Sequence, residues 1–218
     1  HDGHPFDEQD VMFSWEIYAN PYVDCDEHRF KFKKIVHAEV LEPNVVRFFW
    51  DEQYFATTDA FGLDFAILPR HIYDLKDPDN ADHDPEATLQ AQGDYINDHP
   101  ANTQWIGLGP YKVKSWDRGS VLVAEKFPDY WEKDPRKSGY LDELRWAFIS
   151  NDDSAFNALL NEEIDIFFRV KSEDFFGELT QSDVFTDNFY KAFTYVGNLG
   201  YTSWNLHRTK FQDVRVRR

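Results

Sequence analysis

The residues best equipped for chemistry crowd into an acidic loop, where Asp77, Asp79, Asp82, His83 and Asp84 lie close together. That composition suits a hard cation. A calcium loop of the EF-hand type, however, needs a central Gly and a distal bidentate Glu. Counted from Asp77, the Gly position holds Asp82, so the motif fails and a solvated loop is expected. Cys25 is the only cysteine, which excludes an internal disulfide and suggests a partly buried, inert thiol. Gly-x-Ser-x-Gly, His-Glu-x-x-His, Cys-x-x-Cys and a phosphate loop leading into a helix are all missing from the sequence. Gly107-x-Gly109 lacks a third Gly and precedes a strand, so it is not a dinucleotide fingerprint. Acids are plentiful, but a facing carboxylate pair cannot be read from spacing alone. No catalytic set, catalytic metal or cofactor is expected.

The stretch from Trp105 to Trp131 positions the rest. Gly107 and Gly109 are expected to take backbone angles that other residues avoid, and Pro110 fixes its own φ. Tyr111, Val113 and Ser115 alternate with Lys112, Lys114 and Trp116, the period of a strand. Asp117-Arg118-Gly119-Ser120 reads as a reversal, and Val121–Glu125 as a second strand, giving a β-hairpin.

Composition narrows the function classes. The chain has 218 residues, 42% of them hydrophobic, enough for one large domain or two small ones. Its net charge of -17 argues against nucleic acid and anionic membrane surfaces, which need a basic face. No apolar run approaches a membrane span and no signal peptide is visible. The chain opens on His1 rather than Met, which suggests that something preceded it.

Other elements follow in order. Asp7 is the expected N-cap of a helix with acids in its first turn, an apolar stripe of Val11, Trp15 and Tyr18, and an end at Asn20-Pro21. Phe30–Leu41 and Val45–Trp50 read as strands joined by Glu42-Pro43-Asn44. The face carrying Val36, Ala38 and Val40 should meet the core, and His37 should lie at the surface. Pro69 suits the first turn of a short helix, and Pro85–Ile96 a longer one weakened by Gly93. Leu141–Ile149 reads as a strand. Asn151 caps a helix with Phe156, Leu159 and Leu160 on one side, and Glu162–Phe168 reads as a strand. That strand-helix-strand order suggests a right-handed crossover. Lys171–Leu179 reads as a short helix, and Phe193–Val196 and Tyr201–Leu206 as aromatic strands.

The ordered set Gly-Leu-Gly-Pro-Tyr, Trp116, a Gly-containing turn and Phe-Pro-Asp-Tyr-Trp resembles the family 5 extracellular solute-binding proteins, the peptide, dipeptide and nickel receptors of ABC importers. Further stretches are similar to the family: Asp2-Gly3 through Trp15, the strand pair around Glu42-Pro43-Asn44, Ile67-Leu68-Pro69-Arg70-His71, Leu141-Asp142-Glu143 through the helix to Glu163-Ile164-Asp165-Ile166, and Trp204-Asn205-Leu206 followed by Phe211 to Arg217. His71 matches a family histidine expected to be structural. Asn161-Glu162-Glu163 departs from the family, which usually has Gly before the acid; Asn tolerates the left-handed conformation, so the turn can survive.

The resemblance implies a mixed α/β fold, part of a two-lobed periplasmic-binding-protein architecture. Residues 1–190 would form a portion of the first lobe, and 191–218 the crossover strand and start of a truncated second lobe. It implies an internal fragment, with bare strand edges and apolar faces where the missing parts would pack. It implies no enzyme, but capture of a peptide or related solute by hinge closure and delivery to a membrane permease, in the periplasm or outside the cell. Tyr201, Ser203, Trp204 and Asn205 would border the cleft, Tyr and Trp offering apolar area with a hydrogen-bonding edge. Trp105, Gly107, Gly109, Pro110 and Tyr111 would be scaffold. Two other readings stay open: a glycoside hydrolase-like enzyme using scattered acids, and a ligand-sensing domain that reuses the fold.

Overall fold

In the computed structural model, which describes residues 1–52, 55, 57–168, 170–193 and 203–216, Asp7 caps the first helix as its place before an acidic turn predicts. The chain forms two compact units, His1–Phe148 and Ile149–Arg218.

The first unit begins with α1 (Glu8–Ala19), closed by a reciprocal box. Asp7 accepts from Gln9 N–H at 2.8 Å, and Asp10 reaches back to Asp7 N–H at 3.0 Å. The buried face of α1 is Asp10, Phe13, Ser14, Ile17 and Tyr18, rather than the expected Val11–Trp15–Tyr18 stripe. Two of its members are polar, which disguised the period. Asp10 accepts Arg70 N–H at 2.8 Å, and Ser14 Oγ accepts Leu68 N–H at 2.8 Å, so both dock the segment before α4.

Next comes α2 (Asp26–Phe32), where a strand was expected from Phe30. Phe32 is buried on it against Tyr18, Ile35 and Ala60, an apolar anchor that a helix turn presents as well as a strand does. Strands β1 (Ile35–Glu42) and β2 (Val45–Trp50) pair antiparallel as a two-stranded sheet. The expected core face does not hold. A register shift between Ile35 and His37 swaps sides, so Ile35 and Ala38 are buried while Val36 is 63% exposed. His37 lies at the surface as expected, its ring stacked on Phe49.

A single turn, α3 (Thr57–Asp59), runs into a π-helical stretch, Ala60–Asp64, which brings Phe61 and Phe65 onto Phe32 and Phe48. The Tyr18 hydroxyl donates to Asp64 O and accepts Ala66 N–H. α4 (Arg70–Tyr73) follows Pro69, its N-cap. α5 (Leu89–Asn97) starts at an N-cap Thr88, later than Pro85, because the Thr88 hydroxyl accepts Ala91 N–H. Phe13, Ile17, Val23, Tyr73 and Ile96 form the core here; burying each large apolar side chain stabilises by about 1.5–3 kcal/mol.

The predicted hairpin is present as β3 (Tyr111–Asp117) and β4 (Val121–Lys126), with Ser120 N–H closing the turn on Asp117 O and Gly119 at φ 81°. After a short α6 (Pro135–Ser138), β5 (Glu143–Ala147) adds antiparallel to β4, giving the order β3-β4-β5. The Tyr111 hydroxyl accepts Leu141 N–H and donates to Leu141 O, pinning the approach to β5.

The second unit holds α7 (Asp152–Leu160), α8 (Ser172–Phe176) and α9 (Asp183–Asn188). Asn151 caps α7 through Ser154 N–H as predicted. Glu162–Phe168 is not a strand among the described residues, so the expected crossover is not formed there. Ile164 and Phe167 pack instead on the core of Phe156, Leu159 and Phe185. The left-handed residue ending α7 is Glu162 (φ 60°), not Asn161 (φ -85°). Glu163 N–H bonds Ala158 O and Glu162 N–H bonds Leu159 O, the double bond pattern of a Schellman cap. Among the described residues no helix is long and apolar enough to cross a membrane.

Candidate functional site

Of the predicted cleft residues, Ser203, Trp204 and Asn205 are described and exposed; Tyr201 lies outside the described residues. Ser203–Asn205 carries no strand hydrogen bonding and leads into a turn. Asn205 Oδ1 accepts His207 N–H at 3.0 Å and Asn205 O accepts Arg208 N–H at 3.1 Å. The turn folds Phe211 back onto Trp204, with ring centroids 5.0 Å apart. Lys210 Nζ stands 4.9 Å from the Phe211 centroid. Phe211 was missed as a neighbour of Trp204, although a mostly polar turn six residues long between two aromatics could have suggested it.

In the same unit a cavity of about 1000 Å³ is walled by Phe156, Leu159, Phe167, Phe175, Phe185 and Phe189. Asp165 and Lys191 are its charged members. Lys191 Nζ donates to Phe175 O at 2.9 Å and lies 5.1 Å over the Phe175 ring. Aromatic and aliphatic side chains make up most of that wall.

The first unit holds a smaller cavity of about 280 Å³ beside a histidine cluster that sequence reading did not single out. His4 and His71 stack at 3.8 Å between centroids. Asp2 Oδ2 sits 2.9 Å from His71 Nε2, and Asp79 Oδ2 lies 3.5 Å from His4 Nε2. Burial works to raise the Asp2 carboxyl, but the His4 backbone N–H and the His71 ring hold it below the ordinary range. Burial works to lower the His4 imidazole, but the Pro5 carbonyl and Asp79 raise it. These contacts strap the first residues to α4, so His71 is a structural anchor. The spacing Asp2, His4, His71 carried a signal only in three dimensions.

The remaining candidates take scaffold-like positions. Gly107 N–H donates to His1 Nδ1 at 3.2 Å and His1 Nε2 meets Gly109 O at 2.9 Å. The positive φ in this loop belongs to Trp105 (27°), not to Gly107 or Gly109. Trp105 packs on Trp116, 4.8 Å away. In the acidic loop, Asp77 and Asp84 accept backbone N–H groups of their own turns, and Arg70 Nε lies 3.3 Å from Asp77. Among the described residues no three His, Cys, Asp or Glu side chains are grouped to hold a metal. Glu16 has its carboxyl raised by burial and then by the charge of Asp74, yet it lines neither cavity.

This architecture matches solute-binding proteins of known structure. The PBP AgaA of A. tumefaciens R10, solved with agropinic acid, superposes with a TM-score of 0.63 at 25% identity, covering 84% of this chain and 32% of its own. The chain belongs to the bacterial extracellular solute-binding proteins, family 5 middle, which it matches over residues 1–218. A binding protein of Brucella melitensis is 28% identical over 228 residues, covering 99% of this chain and 33% of its own. The oligopeptide-binding protein AppA of Bacillus subtilis is 30% identical over 154 residues, covering 70% of this chain and 24% of its own. The chain thus spans about a third of the length of the Brucella relative that it matches nearly end to end.

Proposed function

We propose that this chain is part of a capture protein for an ABC importer. It would bind a peptide or related small solute between two lobes and deliver it, unchanged, to a membrane permease, outside the cytoplasmic membrane. The observation that carries the reading is the family match along every residue, 1–218. Oligopeptide binding in the B. subtilis relative and agropinic acid in the A. tumefaciens neighbour support a solute in that size range. The hydrolase and sensor readings draw no support from these relatives.

On this reading residues 1–190 belong to the first lobe and 191–218 cross towards the second. Tyr201, Ser203, Trp204 and Asn205 border the cleft. Closure would be driven by contacts that the solute makes only when both lobes reach it. The physical job is reversible binding without turnover. Calorimetry of the full-length protein against a peptide library tests it. Saturable binding with the peptide recovered intact is the expected result. Cleavage of the ligand would turn the reading towards an enzyme, and no binding to any peptide would turn it towards sugar, nickel or another solute.

A further inference from the structure

His99 stands where the chain leaves α5 for β3, as the N-cap of a 3-10 turn, Pro100–Thr103. Its Nδ1 accepts the Ala101 N–H at 3.1 Å, so in the neutral ring Nδ1 is bare and Nε2 carries the proton. Nε2–H then donates to Tyr95 Oη at 3.1 Å, and Tyr95 Oη donates onward to Asp82 Oδ2 at 3.0 Å. Asn80 Oδ1 lies 3.2 Å from the same hydroxyl and accepts the Asp82 N–H at 2.8 Å. Each proton in this row points one way, from imidazole to carboxylate. Tyr73 of α4 and Tyr95 of α5 pack on the His99 ring, with centroids 4.9 and 4.8 Å away. Asp82 is linked to the ring through Tyr95, and Asp94 and Asp98, its nearest acids in sequence, are exposed.

We infer that His99 is an acid-release latch: a second ring proton, taken from solvent, breaks the bond to Ala101 N–H and frees the connection from α5 to β3. Once Nδ1 is protonated, two N–H groups face each other across the 3.1 Å of that bond, so the ring leaves the cap or the turn opens. The turn's other ties carry the change onward. Asn102 Nδ2 donates to Ile96 O at 2.8 Å, and Asn102 O accepts Trp105 Nε1–H at 3.0 Å. Trp105 in turn packs on Trp116 of β3. The latch is thus coupled to the sheet through one side chain, and the connection is firmest while His99 is neutral. A histidine suits this place because its kind changes charge between pH 5 and 8, whereas the usual caps Ser, Thr, Asp and Asn do not.

The test is hydrogen exchange of the full-length protein, read by mass spectrometry on peptides spanning 98–108 at pH 8.0 and pH 5.0. Protection is taken against the intrinsic exchange rate at each pH. It should fall about fivefold in acid, the size expected for one lost hydrogen bond. His99→Asn and His99→Ser each keep an oxygen that can cap the turn and take up no proton in this range. In both the fall should vanish, with protection at pH 8.0 close to that of the parent. Circular dichroism shows whether each variant folds, and either one suffices. No fall in the parent, or the same fall in a folded variant, overturns the latch. An equal fall over residues 152–160 of α7, which contain no histidine, marks a general loosening and overturns it too.

Discussion

Glu162 holds a backbone angle (φ 60°) that costs an L-residue with a Cβ roughly 1–2 kcal/mol. It does so because the cap that ends α7 needs a left-handed residue there. Glu162→Gly should therefore raise stability by about 0.5–1 kcal/mol, after allowing for the extra freedom of Gly in the unfolded chain. Thermal or urea unfolding reads this directly, and a destabilised variant would show that the Glu162 side chain matters more than its backbone. The histidine cluster gives a second expectation at this scale. His4 is raised on folding, so its contribution is full below its ordinary value of 6.5 and fades as pH climbs through the folded value. Asp2 is lowered, so its contribution is full above its ordinary value of 3.8 and fades as pH falls through the folded value. The segment ahead of α1 should hold most firmly between those two values. The protection factors of the amides of residues 2–4 and 6, taken against the intrinsic exchange rate at each pH, should be higher at pH 5.5 than at pH 8, and Asp79→Asn should shrink the difference. Because His4 is partly exposed, the effect is small and salt-sensitive.

At the scale of elements, Gly93 decides how α5 meets the chain after α1. A Cβ there would lie 2.6 Å from Tyr22 Cβ and 2.8 Å from its backbone carbon. The residue that looks like a weakness in the helix is thus what lets the two segments touch. Gly93→Ala should destabilise by about 2 kcal/mol through overpacking, seen as a lower urea midpoint with little change in slope. Elements with local signals were legible in the sequence: the Asp7 and Asn151 caps, the Gly119 turn and the β3–β4 pairing all rest on neighbours close in the chain. Elements set by distant partners were not. The α1 face was misread because Asp10 and Ser14 are buried by bonds to Arg70 and Leu68. β1 was misread because one register shift exchanges its sides. Of the expected cleft segment, Trp204 and Asn205 were legible only as single residues, and the return of Phe211 to Trp204 comes from a turn whose partners lie within itself.

For the whole molecule, charge and exposed apolar area set the behaviour. The net charge of -17 makes the folded chain repel itself, so moderate salt should raise its stability until screening saturates. Large side chains also stand out in water: Trp131 is 73% exposed, Phe168 77% and Tyr190 92%. The sheets of the first unit have only two and three strands. Residues 1–218 produced by themselves should associate as concentration rises, and more so as salt screens their repulsion; light scattering with a salt series would register it. A monomer at every salt concentration would mean that the charge outweighs the exposed rings.

The sheets of the first unit are antiparallel throughout, and most of their pairing joins strands that are sequence neighbours across a short turn. Hairpins of that kind close within about 1–10 μs, far faster than residues are delivered during synthesis. Each ribbon can therefore be finished before the next arrives, and the order of assembly should simply follow the order of emergence. β5 is the exception, since it has to wait for the segment between Phe127 and Asp142 to pass before it can dock on β4. A pause in delivery between those residues would leave one flank of β4 open to pairing with a stranger.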